Sequence, residues 1–365
     1  MAACLIYRLA TDPDFGGKKF LAKKRKLWLG MCILGICYGI SGLGSGQWEV
    51  CFWRNLLFAF LQFVAIAGLY YVFSGAVKWE QAPKAYLAWT GVCVGYVLLA
   101  ELLGIYIDRG IYANGGINRD DIVTGWGHYN NIGAMFTLAI PLAFYLTGKG
   151  RWAWFGYVSA FAFWGGLLLT CSRSSILVGT AIFAGSYIFS LVHSRHARAQ
   201  IGVHLIAVLV PIAFVVVFAK QLGQVLDKVS EIGLASVFQR QDGYAAGIRQ
   251  FLKFPIFGGT FFPVDFELYA WSPLESFSKV IPPRWHNTVI QLLASGGIAC
   301  FAAYCYHRFQ TIRLFLKKPW GGKIFAGLSL LALLLTSLLD CHFFNIGPTF
   351  LYSATLAFVE FKLDK

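Results

Sequence analysis

The sequence predicts an all-α protein, a polytopic integral membrane helical bundle of about ten transmembrane helices. Of its 365 residues, 58% are hydrophobic and only 13% are charged, and the mean hydropathy is +0.62. A soluble domain averages about 45–50% apolar and about 25% charged residues. This composition therefore excludes a soluble globular protein, a disordered chain and a collagen-like repeat, and it indicates a chain that crosses a bilayer many times.

Ten windows satisfy the length requirement for a spanning helix, which is roughly 20 mainly apolar residues. In chain order they are 27–46, 56–77, 85–107, 130–147, 152–170, 174–192, 201–219, 287–306, 324–340 and 346–361. The sequence shows no internal repeat and no soluble domain of independent size. Residues 1–365 are therefore predicted to form a single membrane domain.

The positions of Lys and Arg predict the orientation of the helices. With the N-terminus inside, about two thirds of these residues fall in cytoplasmic segments, including the basic N-terminal segment 1–26. Short cytoplasmic loops are enriched in Lys and Arg, so both termini are expected in the cytoplasm. The net charge of +14 is then explained by topology and implies membrane lipids rather than nucleic acid as a partner.

The segment 220–286, between the seventh and eighth windows, becomes a long loop on the outer side. A loop of this length is usually functional or disordered. Within residues 240–254, four apolar side chains have the spacing of one helical face: Tyr244, Ile248, Phe251 and Leu252. Pro255 is expected to end this helix. The loop is therefore predicted to be partly helical.

Two arginines of this helix differ in direction. Arg240 shares a side with Tyr244, one turn away. Arg249 lies nine residues after Arg240, about 900° of helical rotation, so it points the opposite way. One arginine can face a site while the other faces lipid headgroups.

Outward arginines beside a histidine suit a phosphate-bearing substrate. A guanidinium group matches phosphate oxygens bidentately, and His286, at the outer mouth of the eighth window, can accept a proton near neutral pH. A glycan on a polyprenyl diphosphate needs both functions, because negative charge develops on the departing diphosphate. No Asp-x-Asp stands on the outer side, and the nine cysteines form no C-x-x-C pair. Neither a metal nor a cofactor is predicted.

Four outer-side stretches, covering about residues 125–300, together suggest a family. They are Gly127-His128-Tyr129-Asn130-Asn131; Leu169-Thr170-Cys171-Ser172-Arg173-Ser174-Ser175; Arg240-x-x-x-Tyr244 running to Pro255-Ile256-Phe257-Gly258; and His286-Asn287 followed by Gly296-Gly297-Ile298. No single stretch is specific, but four in this order resemble the O-antigen ligase and O-antigen polymerase superfamily. These are polytopic membrane glycosyltransferases of bacterial surface polysaccharide assembly.

The resemblance implies an inverting, metal-independent transfer of a glycan from undecaprenyl diphosphate to an acceptor hydroxyl. It places the active site on the periplasmic face of the bacterial inner membrane. It implies that Arg173 and Arg240 bind the donor diphosphate and that His286 orients or deprotonates the acceptor hydroxyl. Tyr244 stands where the family more usually has Trp, so a stacking role does not carry over to it.

Further candidate substrate contacts have structural alternatives. They are Arg249, Tyr244, Asn131, Asn287 and Glu101. Either asparagine can instead be a helix cap or a hydrogen-bonding strut. Glu101 lies inside the third window, where an acidic residue is costly and a functional candidate by default, and Arg54 is a candidate partner for it. Asp340 is interpreted as an outer-face bystander.

The motifs leave the acceptor open. A ligase uses a lipid A-core sugar and a polymerase uses a second lipid-linked glycan; we favour the ligase. A transporter or flippase of an anionic lipid or sugar would favour inverted repeats and charges near the bilayer midplane. A structural subunit of an envelope complex would leave the loop arginines and His286 dispensable. The sequence identifies no chain-length regulator.

Overall fold

The computed structural model describes residues 18–46, 48–70, 83–108, 121–148, 153–193, 209, 223, 233–261, 285–316 and 323–363, and these are mostly helical. The helices are α1 (Lys18–Gly39), α2 (Trp48–Phe63, followed by the π-helical turn Val64–Gly68), α3 (Pro83–Asp108), α4 (Tyr129–Leu146), α5 (Ala153–Leu169), α6 (Arg173–His193), α7 (Gly233–Lys253), α8 (Thr288–Leu316), α9 (Lys323–Leu339) and α10 (Ile346–Leu363). A two-stranded antiparallel ribbon, β1 (Val123–Thr124) with β2 (Gly127–His128), precedes α4, and a 3₁₀ turn (His342–Phe344) links α9 to α10.

The membrane character of the chain is confirmed. Four described segments are long and apolar enough to cross a membrane: Cys51–Gly68, Ala88–Asp108, Arg173–Val192 and Thr288–Leu316. Three further apolar helices are shorter: Leu29–Gly39, Ala153–Leu169 and Lys323–Leu339. The window 201–219, apart from residue 209, lies outside the described residues, as do residues 1–17 of the basic N-terminal segment. The number of ten spans and the orientation remain predictions.

Helix α4 forms the centre of the bundle. Every residue of α4 except Asn130 is buried, and α3, α5, α6, α9 and α10 pack around it. A helix that is apolar on all sides is expected in such a position. Asn130, half-buried in the first turn of α4, is therefore positioned by a rigid element.

The predicted helix around 240–254 is confirmed as α7, and it ends before Pro255. Two side chains of the predicted apolar face are not packed against the described residues, since Ile248 and Leu252 are 51% and 70% exposed. The side of α7 that is buried carries Gly243, Ala246, Gly247 and Gln250. These smaller side chains allow α7 to approach α8 closely, and the Gln250 amide donates a hydrogen bond to the Ala294 carbonyl (2.9 Å).

Helix α8 is interrupted at Gly297, whose backbone has φ 66° and ψ −166°. The segment after α7, residues 255–261, fills this break. The N–H groups of Gly259 and Thr260 donate to the carbonyls of Ala294 and Ser295 (2.8 and 3.0 Å), and the N–H groups of Ile298 and Ala299 donate to the carbonyls of Pro255 and Ile256 (2.9 and 3.2 Å). Backbone groups inside a membrane need such partners. The Pro-Ile-Phe-Gly and Gly-Gly-Ile stretches therefore form one structural unit.

Replacing Gly297 by Ala should disrupt this unit. An added Cβ would clash with the Ile256 carbonyl oxygen, at a positive φ that favours glycine. We expect a loss of about 1–3 kcal/mol in the free energy of unfolding, measured as a lower Tm in detergent. Gly104→Ala is the control, since a Cβ at this helical glycine meets nothing within 4 Å. Equal Tm values for the two variants would contradict the interlocked break.

Candidate functional site

The Asp340 carboxylate lies at the centre of a polar cluster where α9 ends. Its side chain is only 5% exposed. The Asn130 amide donates to Oδ2 (2.8 Å), and the Cys341 N–H donates to Oδ1 (2.7 Å). His286 Nδ1 lies 3.5 Å from Oδ1. A buried carboxylate is costly unless it is hydrogen-bonded or paired with a charge, and the Asn130 amide and the Cys341 N–H supply two hydrogen bonds to it.

The cluster continues from Asn130 to the tight joint between α5 and α6. The Ser172 hydroxyl donates to Asn130 Oδ1 (2.8 Å), and the Ser175 hydroxyl lies 3.0 Å from Ser172 Oγ. The joint is tight because Cys171 adopts a positive φ of 55°. Arg173, half-buried, follows Ser172 as the first residue of α6. The predicted Ser-Arg turn is therefore linked through Asn130 and Asp340 to His286.

The position of His286 is set by its own backbone conformation and by the hydrogen bonds of Asn287, the next residue. It has a positive φ of 51°. Asn287 caps α8, since its Oδ1 accepts the Val289 and Ile290 N–H groups (2.8 and 3.2 Å), and its amide donates to the Leu338 carbonyl (2.8 Å). The cap interpretation of Asn287 thus has direct geometric support.

The Nδ1 atom of His286 faces the buried Asp340 carboxylate, and the rest of the side chain remains accessible to solvent. Its side chain is 40% exposed, and Nδ1 makes no hydrogen bond to any described residue. The 3.5 Å separation from Asp340 is longer than an N–H···O hydrogen bond, although catalytic hydrogen bonds are often long before substrate binds. With Nδ1 facing Asp340, Nε2 is the nitrogen available to an incoming hydroxyl.

Helix α7 brings Tyr244 and Arg240 to His286. The Tyr244 hydroxyl donates to the His286 carbonyl (3.3 Å). Burial raises the pKa of Tyr244, the positive charge of Arg240 opposes that rise, and Cys341 and Asp340 add to it. The raised pKa keeps the phenol protonated as a donor at neutral pH. Arg240 and Tyr244 therefore share one neighbourhood with the Asp340–His286 pair.

Three other predicted contacts lie elsewhere or serve the fold. Arg249 is exposed, and its position nine residues after Arg240 places it on the opposite side of α7. Asn131 is buried and its Oδ1 accepts the Asn345 amide (2.6 Å), so it ties α4 to the residue before α10. Glu101 is half-buried within α3, and its Oε2 has no hydrogen-bond partner in the described part of the chain. Among the described residues, none of these three side chains has a hydrogen bond or an ion pair with Asp340 or His286.

Sequence reasoning missed Asp340 and Asn130. By sequence alone Asp340 is interpreted as a bystander, yet its carboxylate joins His286 to Asn130. Asn130 lies 210 positions before Asp340 in the chain. One signal was present, because Asn130 belongs to the Gly-His-Tyr-Asn-Asn stretch. Within the described ranges, no group of three or more His, Cys, Asp or Glu side chains could hold a metal ion.

The comparison with known families is consistent with this geometry. Residues 158–305 match the family model described as O-antigen ligase, and this confirms the predicted resemblance to the O-antigen ligase superfamily. No curated protein matches the chain. The matched segment includes Arg173, Arg240, His286 and the break at Gly297, whereas Asn130 and Asp340 lie outside it. Together with the candidate spans, the match indicates a membrane enzyme of the O-antigen ligase or polymerase type.

Proposed function

We propose that this chain, whose residues 158–305 match the O-antigen ligase family, transfers a glycan from undecaprenyl diphosphate to an acceptor hydroxyl. The reaction takes place on the periplasmic face of the bacterial inner membrane, and the ligase with a lipid A-core acceptor is the favoured form. The observation that carries the proposal is the continuous set of polar contacts from Ser172 through Asn130 and Asp340 to His286. These contacts join the turn that bears Arg173 to His286, and the hydrogen bond from Tyr244 to the His286 carbonyl connects α7, which bears Arg240.

Arg173 and Arg240 bind the donor diphosphate in this proposal. Two guanidinium groups match the phosphate oxygens and stabilise the negative charge that develops as the glycosidic bond breaks. Arg240 has Tyr244, a protonated donor, one turn away on the same side of α7. A bound metal is not needed for this charge stabilisation, because the arginines supply the positive charge.

His286 acts as the base toward the acceptor. The acceptor oxygen attacks the anomeric carbon from the face opposite the diphosphate, so the configuration inverts. The hydroxyl proton passes to Nε2, and the diphosphate leaves with the electron pair of the broken C–O bond. Asp340, 3.5 Å from Nδ1, stabilises the imidazolium that forms.

Two alternatives remain distinct. A polymerase of the same superfamily would use the same groups with a second lipid-linked glycan as acceptor.

A transporter or flippase of an anionic lipid or sugar is favoured by ionisable groups inside spans, namely Glu101 in α3 and Arg308 in α8. The Arg308 guanidinium, however, is held against the rings of Tyr304, Phe343 and Tyr352 at 4.6–5.0 Å.

Reconstitution of the purified protein tests the function. Lipid-linked glycan is supplied with lipid A-core or with no second acceptor, each with and without excess EDTA. Ligated core that forms equally in EDTA is expected. Elongated donor would identify a polymerase, and loss of activity that Mg²⁺ restores would contradict the metal-independent mechanism. Movement of intact lipid-linked glycan across the membrane without any covalent product would instead show a transporter.

Removing either diphosphate-binding arginine should lower the rate of transfer strongly. We expect Arg173→Ala and Arg240→Ala to lower kcat/KM by about 10²–10³-fold, the typical cost of one lost charge-stabilising donor. Membrane insertion and Tm should stay near wild type. Arg313→Ala, which removes an exposed arginine in the last turn of α8, is the control. Near-normal transfer by both variants would exclude the diphosphate role.

Replacing His286 should slow glycan transfer while leaving donor binding intact. His286→Ala is expected to lower kcat by about 10²–10⁴-fold, the usual contribution of a general base, while the Kd for donor changes little. Single-turnover assays and donor-binding titrations measure the two quantities. A variant that no longer binds donor would show that His286 serves the diphosphate instead of the acceptor.

A further inference from the structure

One ridge of α7 leads from the site to the protein surface. Arg240, Tyr244, Ile248 and Leu252 are four residues apart and therefore form a single row along the helix. Four residues turn a helix by 400°, so each side chain is displaced about 40° around the axis from the one before. The row begins half-buried at Arg240 and Tyr244 and becomes exposed at Ile248 (51%) and Leu252 (70%).

The exposed part of this ridge is not used to hold α7 in place. Helix α7 packs on α8 through its small residues, and Gly247 lies so close that a Cβ there would be 2.6 Å from Ile290. Beyond the helix, Ile256 continues the apolar surface at 59% exposure. The sequence therefore keeps large branched apolar side chains where the packing of the helix does not require them.

The chemistry of the ridge changes along its length. Its first turn carries a cation and a phenol beside His286, and the next two turns carry only branched hydrocarbon side chains. About 12 Å of helix separates Tyr244 from Leu252. A ligand that satisfies this order has an anionic head and a long apolar tail.

We infer that the exposed part of the ridge, Ile248 and Leu252, together with Ile256 beyond the helix, binds isoprene units of the donor's polyprenyl tail where the tail leads away from the diphosphate at Arg240. This inference rests on the proposed function, which supplies a polyprenyl diphosphate as donor. Covering exposed apolar surface is favourable in proportion to its area. The ridge therefore gives preference for donors long enough to reach it.

General contact with bilayer lipid predicts a different result. Ile188 and Val192 lie on α6, one of the candidate membrane spans. They are also four residues apart, and they are 59% and 73% exposed. Lipid-facing side chains of this kind do not distinguish a long donor tail from a short one. They therefore provide a control matched in spacing, residue type and exposure.

The test compares donors with the same glycan on an undecaprenyl diphosphate or on a one-isoprene (dimethylallyl) diphosphate, whose tail is too short to reach Ile248, about 12 Å along the helix from Arg240. The double variant Ile248→Ala/Leu252→Ala should raise KM for the undecaprenyl donor by about tenfold, with kcat unchanged, because truncation of two side chains removes apolar contact. Kinetics with the short donor, and those of Ile188→Ala/Val192→Ala with both donors, should be unchanged. An equal effect on both donors, or no effect on the long one, would overturn the inference.

Binding of glycan-free diphosphates separates this inference from the proposed function. In nanodiscs, the Ile248→Ala/Leu252→Ala variant should bind undecaprenyl diphosphate about tenfold more weakly, a change of 1.4 kcal/mol, and bind the one-isoprene (dimethylallyl) diphosphate as wild type does. Wild-type protein that shows this preference without transferring glycan would remove the enzymatic proposal and keep the ridge. Transfer without any dependence on chain length would remove the ridge and keep the enzyme.

Discussion

The pairing of the buried Asp340 carboxylate with three neighbours is the interaction on which the site depends. Asn130 comes from the central helix α4, the Cys341 N–H from the turn after α9, and His286 from the approach to α8. Removal of one partner from a buried carboxylate leaves its desolvation uncompensated. The arrangement therefore fixes all three elements relative to one another, and with them the ring that is proposed to accept the proton.

The break in α8 gives the second constraint, because it sets the position of α7. Helix α7 is joined directly to the segment that fills the break, and that segment bonds to both halves of α8 through backbone groups. Thr260 adds a further tie by donating to the Asn55 side chain (2.9 Å), which in turn donates to the Ser41 carbonyl (3.0 Å). Arg240 and Tyr244 are thereby carried on a helix whose end is anchored in the bundle.

The elements that the sequence could predict are those with a local pattern. Apolar runs indicated helices long enough to cross a membrane, of which four are found among the described residues. Helical spacing and Pro255 indicated α7, and His286-Asn287 indicated the start of α8. Asp340 could not be identified this way, because its partner Asn130 is distant in the chain and no spacing rule relates them. The choice between Asn130 and Asn131 also needed the fold, since adjacent helical residues point about 100° apart.

The two faces of α7 show a further limit of predicting contacts from the spacing of apolar residues. The spacing of Tyr244, Ile248, Phe251 and Leu252 correctly defined an apolar side, but it could not say what that side contacts. Close packing used the glycines and Ala246 instead. Amphipathic spacing alone does not separate a face that packs in the fold from one that binds an apolar ligand.

A double-mutant cycle on transfer rate measures the coupling of Asp340 to His286 most directly. The variants are Asp340→Asn, His286→Gln and the two combined, with Tm checked for each. If Asp340 acts through the histidine, the losses are strongly non-additive, and the combined variant is about as slow as His286→Gln alone. Additive losses, with each substitution lowering the rate independently, would contradict the account.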